Sequence, residues 1–196
     1  MAKKKGNKFI VSIILSGALA FGGYFLYKKF FIGKIHLKDK NYTYIFIERN
    51  DDFEDVVNDI NSENIIDDIE AFEWLAKKME LDKNINPGKY RLTNGMTMRQ
   101  IINLIKYNKQ EKVKLTYNSQ IHNMDEFVDY TDDKLALSAG DLEDFITDEA
   151  RLEKYFRLNP DNAFGLIVPG IYEVSWAIDA EELFTLLSEK YNKVWN

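Results

Sequence analysis

The sequence predicts an α+β protein that begins with one long apolar helix. Three observations carry this prediction: apolar residues recurring at i, i+3, i+4, i+7 in separate segments, short runs of apolar–polar alternation between them, and an uncharged stretch over residues 9–27. The first two patterns are the periods of an amphipathic helix and of a half-buried strand. No repeat of roughly 20–50 residues points to a solenoid or a propeller.

Residues 9–27 form a run of 19 uncharged, mostly apolar residues. As a helix this run would span roughly 28 Å, close to a hydrocarbon core of about 30 Å. Lys3, Lys4, Lys5 and Lys8 precede it, and Tyr24 and Tyr27 sit near its far end, where interfacial aromatics belong. Ala18-Leu19-Ala20 also has the A-x-A form of a leader cleavage site. The apolar run continues past it through Phe21, Tyr24, Phe25 and Leu26, which favours a retained transmembrane helix. Lys28, Lys29 and Lys34 follow, so four lysines before against three after place the amino terminus inside the cell. The body is then expected on the outer, periplasmic side of the cytoplasmic membrane. This divides the start into a basic cytoplasmic tail (1–8), a transmembrane helix (9–27) and a spacer (28–41).

In the body, Tyr42, Tyr44, Phe46 and Glu48 share one face of a strand, with Thr43, Ile45 and Ile47 on the other. Asp51 or Asp52 then caps a helix carrying Phe53, Val56, Val57 and Ile60. Phe72, Leu75, Ala76 and Met79 mark a second helix, and Asn86-Pro87-Gly88 is a turn before a short strand at 89–92. Thr97-Met98-Arg99-Gln100 has the capping-box form ahead of Ile101, Ile102 and Ile105, a third helix that includes Met98. Val113, Leu115 and Tyr117 alternate with Lys112, Lys114 and Thr116, a strand with one wet face. The second half reads as short helices at 125–130, 141–146 and 149–156, then a strand at 171–174 after Pro169-Gly170. Asp179 caps a last helix carrying Leu183, Phe184, Leu187, Tyr191 and Val194. A boundary between two lobes falls at 108–112.

Composition narrows the function. With 45% hydrophobic and 14% aromatic residues in 196, the chain can build a core, which a disordered chain cannot. The first 38 residues hold no acid, and six lysines fall within the first 30; removing those six leaves 20 bases against 32 acids, a balance of −12. Such a body repels phosphates, which argues against nucleic acid as a partner. There is no cysteine, and His36 and His122 lie 86 positions apart, so neither a thiolate nor a His-rich metal site is expected. No G-x-S-x-G elbow is present, and no cofactor or metal is implied.

Among the acids, Glu173 is the one set inside an apolar stretch, between Tyr172 and Trp176. A catalytic acid needs a partly buried site that raises its pKa. Alternation with Tyr172 and Val174 instead favours an outward-facing strand residue. His122 reads as a solvated loop histidine, and Asp51-Asp52 and Asp132-Asp133 as solvated caps and turns. Trp74, Trp176 and Trp195 have faces for stacking on sugar rings, but Trp74 lies among apolar helix positions, which favours packing there.

Several segments carry a resemblance. Phe72-Glu73-Trp74-Leu75-Ala76-Lys77-Lys78, Asn86-Pro87-Gly88-Lys89-Tyr90-Arg91-Leu92 and Asn94-Gly95-Met96-Thr97 resemble the endolytic murein transglycosylase (MltG, or YceG-like) family. The likeness continues through Val113-Lys114-Leu115-Thr116-Tyr117-Asn118-Ser119-Gln120 and Pro169-Gly170-Ile171-Tyr172-Glu173-Val174-Ser175-Trp176, and resumes from Ala180-Glu181-Glu182 to Trp195-Asn196. It implies a LysM-like lobe at 42–110, followed at 111–196 by the beginning of an incomplete catalytic lobe. It also implies cleavage of nascent peptidoglycan glycan strands, in which one Glu acts first as acid and then as base toward the sugar's own 6-hydroxyl. The product is a 1,6-anhydro-muramic end, formed without metal or cofactor.

The family's catalytic Glu lies in a motif expected beyond Asn196, so no catalytic residue is carried over, and Glu173 is only a weak candidate. Pro169-Gly170-Ile171-Tyr172 stands where relatives have Pro-Asn/Asp-Thr-Tyr, and Ile121 replaces an Arg that often follows Asn-x-Gln. The resemblance leaves Tyr172, Trp176, Asn118 and Gln120 as glycan-binding candidates. Peptidoglycan strands, the cytoplasmic membrane and cell-wall synthesis proteins are the expected partners. Two readings of the whole follow: the front part of a transglycosylase, inactive alone, or a non-catalytic membrane-tethered glycan-binding or scaffold protein. An unrelated anchored adaptor is a third.

Overall fold

The computed structural model describes residues 3–27, 35, 37, 40–137 and 140–195. His36, Lys28, Lys29, Lys34, Asn196 and most of the expected spacer lie outside them. In chain order the elements are α1 (Lys3–Tyr27), β1 (Tyr42–Ile47), α2 (Phe53–Ser62), α3 (Ile69–Lys78), β2 (Gly88–Thr93), α4 (Met98–Lys106), β3 (Val113–Tyr117), α5 (Met124–Asp132), α6 (Asp141–Thr147), α7 (Glu149–Phe156), β4 (Gly170–Val174) and α8 (Ala180–Trp195). The protein is α+β, with its strands in two small sheets, β1–β2 and β3–β4.

α1 is 25 residues long and starts at Lys3, inside the stretch read as a tail. Its described side chains run from Val11 to Tyr24, and Val11, Ile14, Leu15, Leu19 and Phe21 are each more than half exposed. Among the described residues no helix is long and apolar enough to cross a membrane.

The chain divides into two units. The first holds residues up to 43, 52–85 and 92–107. Asp52 opens α2: its Oδ1 accepts from the Glu54 and Asp55 amides at 2.8 and 3.0 Å, and Asp55 Oδ2 accepts from the Asp52 amide at 2.9 Å. Such a reciprocal cap is worth about 1 kcal/mol. Thr97 and Gln100 make the same box at the start of α4, as their spacing predicts. α3 packs against both α2 and α4. Phe72, Ile101, Ile102 and Ile105 are fully buried, so the i, i+3, i+4, i+7 stripes are core. α3 buries Ala71, Phe72, Leu75 and Ala76, and two positions along a helix is a rotation of about 200°. Trp74 therefore points away from the stripe and is 51% exposed, a correction to the expectation that it packs inside.

The second unit holds 44–51, 86–91 and 108–196. β3 and β4 pair antiparallel, with Val113 opposite Val174, Lys114 opposite Glu173, Leu115 opposite Tyr172 and Tyr117 opposite Gly170. Alternation sends Leu115, Tyr117, Tyr172 and Val174 into a core completed by Phe127, Leu142, Phe145, Leu152, Leu183, Phe184 and Leu187. The polar atoms brought inside are partnered: Tyr117 Oη lies 3.1 Å from Thr131 Oγ1, and Tyr172 Oη donates to the Val168 carbonyl at 2.6 Å. Burial raises the pKa of both phenols.

Asp179 caps α8 as expected, accepting from the Glu182 amide at 2.7 Å. The apolar stripe of α8 ends early, however: Tyr191, Val194 and Trp195 are 36%, 53% and 69% exposed.

Gly88 and Gly170 both adopt φ near +155°, and both admit a close neighbour. A Cβ at Gly88 would stand 2.6 Å from Gln110 Oε1, which accepts from Ser175 Oγ at 2.7 Å. A Cβ at Gly170 would stand 2.5 Å from Lys190 Nζ, the ammonium that lies 3.8 Å over the Tyr172 ring.

Candidate functional site

Glu173, Tyr172, Trp176, Asn118 and Gln120 all lie in the second unit, but not together: Trp176 follows the Val113–Val174 end of the β3–β4 pair, Asn118 and Gln120 follow the Tyr117–Gly170 end, and Trp74 lies in the first unit. Glu173 is exposed on the wet face of β4, and its Oε1 meets Lys114 Nζ at 3.2 Å. This is the outward strand residue that alternation predicts, without the apolar burial that a general acid needs. Tyr172 alternates inward and is 3% exposed, its ring 5.2 Å from Tyr117. Trp176 is half-buried, with its ring 4.8 Å from the exposed Phe46. Tyr44 continues the aromatic strip, 6.3 Å from Phe46, with Lys89 Nζ 4.1 Å above the Tyr44 ring and Glu111 accepting from its hydroxyl at 3.0 Å.

Asn118 and Gln120 are exposed in the loop after β3, where Asn118 Oδ1 accepts from the Gln120 amide at 2.8 Å. The Asn118 side chain therefore shapes its own turn. His122 is exposed in the same loop, as its sequence context suggests. Glu126 Oε2 accepts from the His122 amide at 2.7 Å and lies 3.1 Å from Nδ1. The bond from the His122 amide, and then that from its ring, holds the Glu126 carboxyl below the usual carboxylate range.

The Asp132-Asp133 run is corrected in part. Asp133 is an exposed helix cap, ion-paired to Lys134 at 2.7 Å. Asp132 is half-buried and its Oδ1 has no partner among the described residues. Burial, followed by the nearby charges of Asp129, Asp141 and Glu143, pushes its pKa up. The rotation of α5 explains this, because Asp132 follows directly on the fully buried Thr131. No group of three or more acids or histidines among the described residues is arranged to hold a metal ion.

Two features escape the sequence reading. Arg49 forks onto the start of α8: Nε donates to the Ala177 carbonyl at 2.7 Å, Nη2 meets Glu182 at 2.6 Å and Nη1 meets Asp179 at 3.2 Å. The acids stand at a helix N-terminus, where negative charge is favoured, and Arg49 neutralises them from far away in sequence. Beside them an open groove of about 650 Å³ is lined by Glu173, Asp179, Glu182 and Glu189 against Lys112. No local pattern announces either feature, because each joins segments remote along the chain.

With this α+β arrangement described, comparison places the chain in a class. Residues 45–196 match the model of the YceG-like family. The chain belongs to that family. It is also similar to a crystal structure of a protein described as yceG-like, lmo1499 of Listeria monocytogenes, at 17% identity and a TM-score of 0.39, over 80% of this chain and 56% of that one. The chain thus spans 56% of the length of that relative. No curated protein matches it.

Proposed function

We propose that the chain works on peptidoglycan glycan strands at the cytoplasmic membrane, as a glycan-binding, transglycosylase-related protein that does not cleave them by itself. The observation that carries this reading is the YceG-like match over residues 45–196. Glycosidic cleavage needs a proton donor held against the leaving oxygen, typically worth about 10²–10⁴-fold. Glu173, the one matched acid weighed for that task, is exposed and ion-paired. Binding falls instead to the half-buried Trp176 and the exposed amides of Asn118 and Gln120, with the 42–110 segment as the LysM-like part. The test is incubation of the purified chain with uncrosslinked glycan strands, followed by sedimentation and mass spectrometry. Co-sedimentation without new 1,6-anhydro ends is expected. Anhydro ends that disappear in Glu173→Gln would overturn the reading and make Glu173 the catalyst.

The anchor is part of the same proposal. Its support is the sequence: residues 9–27 are uncharged throughout, and as a helix they would span roughly 28 Å, close to a hydrocarbon core of about 30 Å. The exposed Val11, Ile14, Leu15, Leu19 and Phe21 have the lipid as their natural cover. Protease added to spheroplasts is expected to digest the body while the protein remains in the membrane fraction. A body protected until the cells are lysed contradicts this orientation.

A further inference from the structure

We propose that the hollow between the end of α7 and the last turns of α8 is a saccharide subsite that selects a sugar bearing a carboxylate. The proposal rests on the glycan reading above and assigns it a place. The hollow has a volume of about 520 Å³, within the roughly 300–1,000 Å³ of small-molecule sites. Tyr155, Arg157, Asn162, Ser188, Tyr191 and Asn192 line it.

Sugar recognition needs a flat apolar face for the pyranose ring and short polar groups for its hydroxyls. Tyr155 and Tyr191 are 51% and 36% exposed and offer such faces. Ser188 offers a hydroxyl group. Asn162 Oδ1 accepts from the Asn159 amide at 2.8 Å, and its Nδ2 donors remain for a ligand.

The charge distinguishes this hollow. Arg49 and Arg151 are ion-paired, and Arg91 and Arg99 are also engaged. Arg157 is the arginine without an ion pair or hydrogen bond from its guanidinium among the described residues. An unpaired guanidinium in a protein with 32 acids is an anion receptor left open. Its backbone is pinned: Arg157 sits at φ 57°, ψ 38°, with its amide donating to the Glu153 carbonyl at 3.1 Å and the Leu158 amide donating to the Leu152 carbonyl at 3.3 Å. Glycine fills this position most readily; Asn64, Glu80 and Asn108 share this left-handed conformation with Arg157 among the described residues. Lys154 Nζ lies 4.5 Å over one face of the Tyr155 ring and donates to its hydroxyl at 3.1 Å, which leaves the opposite face for a sugar. A neutral sugar does not use the Arg157 guanidinium. A muramic unit carries a carboxylate on its lactyl ether, or on the peptide attached to it, and does.

The experiment titrates the full chain in detergent with three probes and follows binding by calorimetry. The probes are a peptide-free glucosaminyl–muramyl tetrasaccharide, the same tetrasaccharide with its stem peptides, and neutral chitotetraose. At least one carboxylate-bearing probe is expected to bind about tenfold tighter than chitotetraose, the gain of one charge-assisted hydrogen bond, and whichever does identifies the source of the carboxylate. Added salt should shrink the gap. Arg157→Gln should abolish it, and so should Arg157→Gly, whose backbone is at ease in this position, while Tyr155→Ala should weaken all three probes. Equal affinities, or a gap that survives both Arg157 variants, would overturn the subsite. If whole glycan strands bind but the Arg157 variants change nothing, only the subsite fails. If neither strands nor any probe binds, the glycan reading fails with it.

Discussion

Replacing Ile101 by Asp is expected to remove most of the stability of the first unit. Ile101 is fully buried on the inner face of α4, in line with Met98, Ile102 and Ile105. The substitution withdraws a large apolar side chain, a loss of about 2–5 kcal/mol. It also asks an unpartnered carboxylate to lie among isoleucines, a further cost of several kcal/mol. Whole domains are stable by only about 5–15 kcal/mol. Urea unfolding followed by far-ultraviolet circular dichroism should therefore show the first transition moved to very low denaturant or absent. An unchanged midpoint would mean that the stripe is not core.

Phe184→Ala should have the next largest effect, in the second unit. Phe184 is fully buried on α8, with its ring 5.0 Å from Phe145, 6.0 Å from Phe156 and 6.3 Å from Phe127. It is thus the ring through which α5, α6 and α7 each touch α8. Truncation of such a phenylalanine typically costs about 3–5 kcal/mol, because the walls of the cavity relax only in part. For a chain of this size that corresponds to roughly 10 °C in Tm. Phe184→Leu keeps most of the volume and should cost less than about 1.5 kcal/mol. Equal effects from the two variants would show that the aromatic cluster is not what holds α8.

These two residues show which parts of the fold were legible in the sequence. Ile101 and Phe184 both follow from periodicity, as do the alternating faces of β1 and β3 and the caps at Asp52, Thr97 and Asp179. Such features are local: a pattern of 3.6 or 2 residues states which face is apolar, and a capping side chain reaches only three residues ahead. Periodicity does not state where coverage stops. Tyr191 and Val194 continue the stripe of α8 beyond the core, and Trp74 looks internal until the rotation of α3 is known. The candidate site was legible only in part. Glu173 and Tyr172 were separated correctly by strand alternation. The Arg49 fork and the hollow beside Arg157 depend on pairs brought together by tertiary folding, which no short window contains.

The pairing of β3 with β4 has a consequence for synthesis. Tyr117 lies opposite Gly170 and Val113 opposite Val174, so all of α5, α6 and α7 must be made before β3 acquires its partner. At roughly 5–20 residues per second, a delay of about 60 residues is on the order of 3–12 s. For that time Leu115 and Tyr117 belong to a nascent strand whose edge is open to any other chain. Lys112 and Lys114 flank and interrupt those apolar residues, and lysines on an edge discourage pairing with the wrong neighbour. Lys114, which ends as the ion-pair partner of Glu173 at 3.2 Å, is thus placed to guard that edge before Glu173 is made.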